Sequence, residues 1–186
     1  MTELNFKTAF KYPFNRAKGM LNIFWIFLPI IGWFALGGYG VRIVQEFSKG
    51  KFKKLPTMKF SSDLKLGFMM FVKAIPFVVV YGILTNILGA INPWIRGLAD
   101  FFLGLFVVPI LSIHFINKQT VGSYFEVEII RSVFDNLGDY VTALVKTILL
   151  GLIFVLMSII LIGIPANAFT KNIFLADFYK RKVKKK

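Results

Sequence analysis

GGYGVRIVQEFSKGKFKKLPTMKF, residues 37–60, decides how this chain is read. It opens at the end of one apolar run and closes just before the next. Between the two runs Arg42, Lys49, Lys51, Lys53, Lys54 and Lys59 stand against a single acid, Glu46. A basic band beside lipid-soluble segments belongs at a membrane surface, because cytoplasmic retention of Lys and Arg and attraction to anionic headgroups both act on it. These six bases are the candidate lipid- or partner-binding residues.

Working outward, the composition agrees with a membrane location. The chain has 186 residues, 56% hydrophobic and 17% charged, with a mean hydropathy of +0.69. Soluble domains are about 45–50% apolar and about 25% charged, so both figures are displaced toward lipid. The runs 20–41, 67–92, 95–116 and 140–165 each reach or exceed the roughly 20 residues that cross a hydrocarbon core as a helix. The net charge of +14 raises nucleic acid as a partner. The bases cluster at the edges of apolar runs, however, and no nucleic-acid-binding motif accompanies them, so membrane lipids, anionic above all, and membrane-protein partners are expected instead. The absence of cysteine removes disulfides, thiolate metal sites and a cysteine nucleophile. The start does not read as a signal peptide, since its apolar run is too long for an h-region and lacks an A-x-A-like end.

Residues 1–19 place Phe6, Phe10, Phe14 and Ala17 at helical spacing with Lys7, Lys11 and Lys18 off that stripe. This predicts an amphipathic helix, kinked near Pro13, lying in the interface or docked on the protein. Run 20–41 is awkward as a simple span. Residues 1–19 carry four bases and one acid, and residues 42–66 carry seven bases and two acids, so both flanks are positive. Either the run is a re-entrant hairpin buried by other helices, or the weaker flank lies outside. Runs 67–92 and 95–116 form a helical hairpin across Asn92-Pro93, with Trp94 as interfacial anchor. In 117–139, Ser123-x-x-Glu126 is a capping-box pattern. Apolar positions from Phe125 to Leu137 follow at helical spacing, with Gly138 as a stop, which predicts a second amphipathic helix. The stretch 140–179 is too long for one straight span and suits a span with a short return limb. Residues 177–186 carry six bases and one acid, which marks the tail, 180–186, as cytoplasmic. A weak echo links Phe6–Tyr12 before the first run with Phe134–Tyr140 before the last, as pseudo-symmetric halves would.

At GGYGVR…SKGKFKKLP the chain resembles a membrane-protein family of archaea and bacteria catalogued as domain of unknown function 4013. The family's Gly-Tyr-x-x-Arg element, later glycine, Leu-Pro and aromatic correspond here to Gly38, Tyr39, Arg42, Gly50, Leu55, Pro56 and Phe60. The stretch 107–145 is similar to the family's second recurring element, with Pro109, Phe125, Ile130 and Tyr140 in the matching places. Met58 and Lys59 stand where the family is usually acidic. The resemblance implies a helical membrane protein and carries no known activity.

The polar residues within or near the runs are Lys73, Arg96, Asp100, His114 and Lys146. A charge at the bilayer centre costs about 2.5–3.5 kcal/mol on insertion scales, so each is either a snorkelling side chain or part of a polar site. Arg96 and Asp100 are spaced to pair on one helix. His114, near the end of its run and without a partner histidine or cysteine, reads as interfacial rather than as a metal ligand. No nucleophile elbow, His-Glu-x-x-His or phosphate loop is present, so neither catalysis, metal nor cofactor is expected. The expectation is one all-α polytopic domain over 1–186, with four principal hydrophobic segments, some of them re-entrant hairpins, and two amphipathic interface helices. The basic loop 42–66 and the C-terminus face the cytoplasm of a plasma-membrane protein. Its expected role is lipid or partner binding at that face, or else transport through Lys73, Arg96, Asp100 and Lys146.

Overall fold

The computed structural model describes residues 3–184, so Lys185 and Lys186 of the basic tail lie outside the described residues. Those described residues are helices and their connections, without a strand. Among the described residues three helices are long and apolar enough to cross a membrane: Phe60–Ile91, Pro93–Lys118 and Leu137–Ile160.

Run 20–41 contributes no helix of that kind, and its folding resolves the charge conflict. A tight helical limb, Leu21–Phe27, reverses at Leu28–Ile30 and returns as α3, Ile31–Ser48. Pro29 disfavours helical backbone at the residue before it, and Leu28 is extended, with φ −96° and ψ 98°. The run is therefore a hairpin, and both basic flanks stay at one end of the molecule. The helix α3 also continues past the apolar run, because Tyr39, Ile43, Val44 and Phe47 keep one face buried. With the next helix starting at Phe60, the non-helical part of the expected 42–66 loop shrinks to 49–59.

The helix α4, Phe60–Ile91, turns at Asn92 into α5, Pro93–Phe102. Asn92 accepts the Trp94 N–H at 2.8 Å and Pro93 supplies the first helical φ. A π-helical turn, Leu103–Val107, leads into α6, Val108–Lys118. The last run rises as α8, Leu137–Met157, and reverses at Leu161, which has φ 63°. It returns as α9, Gly163–Thr170, and α10, Ile173–Phe178.

The echo in the sequence corresponds to a shared construction. The first hairpin turns at Ile30 and the last at Leu161, both at φ 63°, and a glycine follows two residues later in each, Gly32 and Gly163. Each hairpin closes with an edge-on aromatic pair between its start and its end. Tyr12 meets Phe47 with centroids 4.9 Å apart, and Tyr140 meets Phe178 at 5.2 Å. The Tyr12 hydroxyl is fully buried with no hydrogen-bond partner among the described residues, and burial, helped by the Glu46 charge, pushes its pKa well up.

The amphipathic segments differ from expectation. The first is broken at Pro13 into α1, Phe6–Lys11, a 3-10 turn, Phe14–Arg16, and α2, Ala17–Met20. Its aromatic stripe packs on protein: Phe6 stacks on Phe174, and Phe10 on Phe154. In the second, the Ser123–Glu126 capping box does not form. Ser123 donates to the Thr120 carbonyl, and Glu126 is the residue before α7, Val127–Phe134. Gly138 is not a stop but lies in the first turn of α8, because the break falls earlier, at Asp135–Asn136.

The core gathers where these elements meet, around Tyr39, Phe47, Leu55, Ile110, Ile113, Tyr140, Phe154, Phe174 and Phe178. Most of the exposed large apolar side chains lie on three apolar prongs, 21–33, 68–102 and 141–164, and the rest, Val121, Phe125, Val127, Phe134 and Leu137, lie on and just after the connection that carries α7. The other ends converge. Asn117 donates to Ser48 Oγ at 2.9 Å and Gln45 to the Ile116 carbonyl at 2.8 Å. The Leu4 N–H donates to Asp177 at 3.2 Å, and Lys182 pairs with Asp139 at 2.6 Å. The N-terminal segment, loop 49–59, the 118–136 connection and the tail therefore share one end.

Candidate functional site

The loop 49–59 is held from beneath by its carbonyls. Gly50, at φ 80°, turns the chain off α3. Leu55 is a fully buried plug. Around it Asn15 donates to the Lys53 carbonyl at 2.7 Å, Arg16 to Leu55 at 3.3 Å, Tyr39 to Pro56 at 2.9 Å and Arg42 to Thr57 at 2.7 Å. With the backbone bonded inward, Lys49, Lys51, Lys53, Lys54 and Lys59 are exposed, and none makes an ion pair with a described residue. Lys180 of the tail lies over the Phe52 ring at 5.9 Å, bringing tail and loop together.

Arg42 does not belong with those lysines. Its guanidinium is about three-quarters buried, with 23% of its side-chain surface exposed, and it grips the fully buried Asp63 carboxylate through Nε and Nη2, the latter at 2.7 Å. The Lys59 N–H donates to the same carboxylate at 2.8 Å. A fork matched to a carboxylate in two places is what arginine supplies and lysine cannot. Asp63 escaped the sequence reading because it lies 21 residues from Arg42, outside any helical or motif spacing.

The family-motif residues have packing roles. Gly38 sits against Asp63 and Gly67 at the crossing of α3 and α4. Phe60 meets Trp25 with centroids 4.4 Å apart. Pro109 lies in the first turn of α6, and Phe125 meets Phe77 edge-on at 6.2 Å. Tyr140 donates to the Leu105 carbonyl at 2.7 Å, across the π-helical turn.

The intramembrane polar candidates do not converge. Lys73 donates to the Gln119 carbonyl at 2.8 Å, stitching α4 to the end of α6. Lys146 pairs with Glu3 at 2.7 Å on the N-terminal segment. Arg96 and Asp100 pair at 3.5 Å near the Asn92 turn, and Asp100 also accepts from Tyr81 at 2.9 Å. The first two serve the converging end and the last cluster serves the opposite one.

His114 lies inside the protein. It is buried, with Nε2 2.8 Å from Glu126 and Nδ1 2.8 Å from the Tyr179 hydroxyl. A carboxylate only accepts, so Nε2–H donates to Glu126, and the Tyr179 hydroxyl, which can donate or accept, is the partner of Nδ1. Tyr179 keeps its hydroxyl proton: burial, with the Glu126 charge adding, pushes its pKa up to about 12. The network joins α6, the residue before α7 and the tail, and lines a cleft of about 590 Å³ with Lys118, Glu128, Arg131 and Lys184. A single histidine and three distant positions leave no motif to find in sequence. Among the described residues no three His, Asp or Glu side chains gather as a metal ion would need.

No curated protein and no solved structure matches the chain. The family described as Protein of unknown function (DUF4013) matches residues 21–163, from the first limb of the N-terminal hairpin to the turn of the last, and the chain belongs to that family.

Proposed function

We propose that this chain is a non-enzymatic integral protein of the plasma membrane that binds anionic lipid headgroups or partner proteins through a basic cytoplasmic face. One observation carries the reading: five exposed lysines, none of them in an ion pair with a described residue, stand on a loop whose carbonyls are bonded inward. Each base near an anionic surface is worth about 1 kcal/mol before screening, and a loop already ordered loses little entropy on engagement. In this reading the three apolar hairpins enter the bilayer from one side and α1 and α7 lie near its surface. The turns at 28–30 and 158–162 hold no charged residue, so they end within hydrocarbon, whereas the Asn92–Arg96 turn reaches the far interface.

Neutralising Lys51, Lys53 and Lys54 together to Gln will weaken association of the nanodisc-held protein with phosphatidylglycerol vesicles about ten-fold at physiological salt, and more at low salt. Co-flotation measures this, and unchanged binding would sink the proposal. Topology supplies a separate check. Since the chain lacks cysteine, Lys53→Cys and Thr120→Cys will react with an impermeant maleimide only after cell lysis, while Asn92→Cys will react in intact cells. Labelling of Thr120→Cys in intact cells would place charged segments on both faces. That would favour the second reading, a small transporter or transport-complex subunit. The observation behind this alternative is the Tyr81–Asp100–Arg96 cluster within the apolar hairpin.

A further inference from the structure

The helix α3 turns two glycines toward open space. Gly37 and Gly40 have no atom within 4 Å of where a Cβ would stand, unlike Gly38 between them. They line a cleft of about 340 Å³ between α3 and the junction of α9 and α10. That volume falls in the range of about 300–1,000 Å³ typical of small-ligand sites. Its walls are apolar, with Ile23, Leu36, Val44 and Phe169 among them, and its first end opens beside the exposed apolar residues of the N-terminal hairpin. One charge borders it. Lys171 is the sole charged residue between Lys146 and Asp177, it is exposed, and it makes no ion pair with a described residue. Retaining an unpaired cation in so apolar a stretch calls for a counter-charge at that depth.

We propose that this cleft holds one anionic phospholipid of the surrounding bilayer, an acyl chain along Gly37 and Gly40 and the headgroup phosphate on Lys171. An apolar slot opening on the prongs admits a chain without removing it from hydrocarbon, and an ammonium beside the slot selects the phosphate by charge complementarity. Adding bulk at Gly40 closes the slot without touching backbone, whereas bulk at Gly38 would break the helix crossing. The assignment deepens the lipid reading above but at a different site, so the two can fail separately.

The test is native mass spectrometry of the delipidated full chain titrated with phosphatidylglycerol or phosphatidylcholine. Thermal unfolding first shows that each variant remains folded. The expected result is one tightly retained phosphatidylglycerol per chain and no equivalent phosphatidylcholine. Lys171→Gln should weaken that event roughly five-fold, Gly40→Leu should abolish it, and Gln at Lys51, Lys53 and Lys54 should leave it intact. Equal retention of both lipids, wild-type retention in Gly40→Leu and Lys171→Gln, or a chain dimer that excludes lipid would each overturn the proposal. Loss of the event only in the triple-lysine variant would return lipid binding to the loop alone.

Discussion

Gly38→Ala should yield no stable folded protein, while Gly40→Ala, two positions along the same helix, should be close to silent. The difference lies in what the new methyl meets. At Gly38 a Cβ would stand 1.8 Å from the Asp63 carbonyl oxygen, and at Gly67, on the opposing face, 1.9 Å from the Phe34 carbonyl oxygen. Both obstacles are backbone, so no rotamer change relieves them, and α3 and α4 must separate. Apolar surface gains little by leaving lipid for protein, so close packing carries much of the association between such helices. Separation also pulls Arg42 from Asp63 and the loop carbonyls from their donors. The expected loss is about 4 kcal/mol or more, the size reserved for overpacking and broken buried networks. Thermal unfolding in mild detergent, read by circular dichroism and size exclusion, is the measurement. A Gly38→Ala midpoint within a few degrees of wild type would mean that the crossing is not tight.

The hairpin character of the first run was one of the two readings its charges allowed, since two positive flanks either bring the chain back or put the weaker one on the far side. The tyrosine–glycine–proline pattern was legible as a motif, though not as packing. What escaped was pairing across distance. Arg42 sits among five lysines in sequence and looks like a sixth, because local charge counting cannot see an acid 21 residues on. His114 could be placed only by its position in the run, whereas its partner Tyr179 stands 65 residues later. Gly138 read as a helix stop because glycine lowers helix propensity. Tertiary contacts carry α8 through it, with Tyr140 buried and bonded to the Leu105 carbonyl.

The Arg42–Asp63 pair provides the second large effect, and its asymmetry makes it diagnostic. Removing one partner of a buried pair costs about 3–5 kcal/mol because the other is left uncompensated. Arg42→Met strands a carboxylate with no exposed surface, so it falls at the upper end, about 5 kcal/mol. Asp63→Leu strands a guanidinium that still reaches water and the Thr57 carbonyl, so it falls near 3 kcal/mol. The double variant should lose less than the two singles combined, since two apolar side chains leave no buried charge. Thermal unfolding of the three variants gives the order. Limited trypsin digestion at Lys51, Lys53 and Lys54 gives a local readout, because Arg42 also bonds the Thr57 carbonyl and Asp63 holds the Lys59 N–H. Arg42→Met should be cut at the loop faster than wild type at equal temperature, and it should lose vesicle association although every loop lysine remains. If the loop is cut no faster and vesicles still bind, Arg42 is one more surface base and the loop is not held from beneath. If the loop loosens and binding falls with it, the buried acid at position 63 is what makes the exposed lysines a binding face.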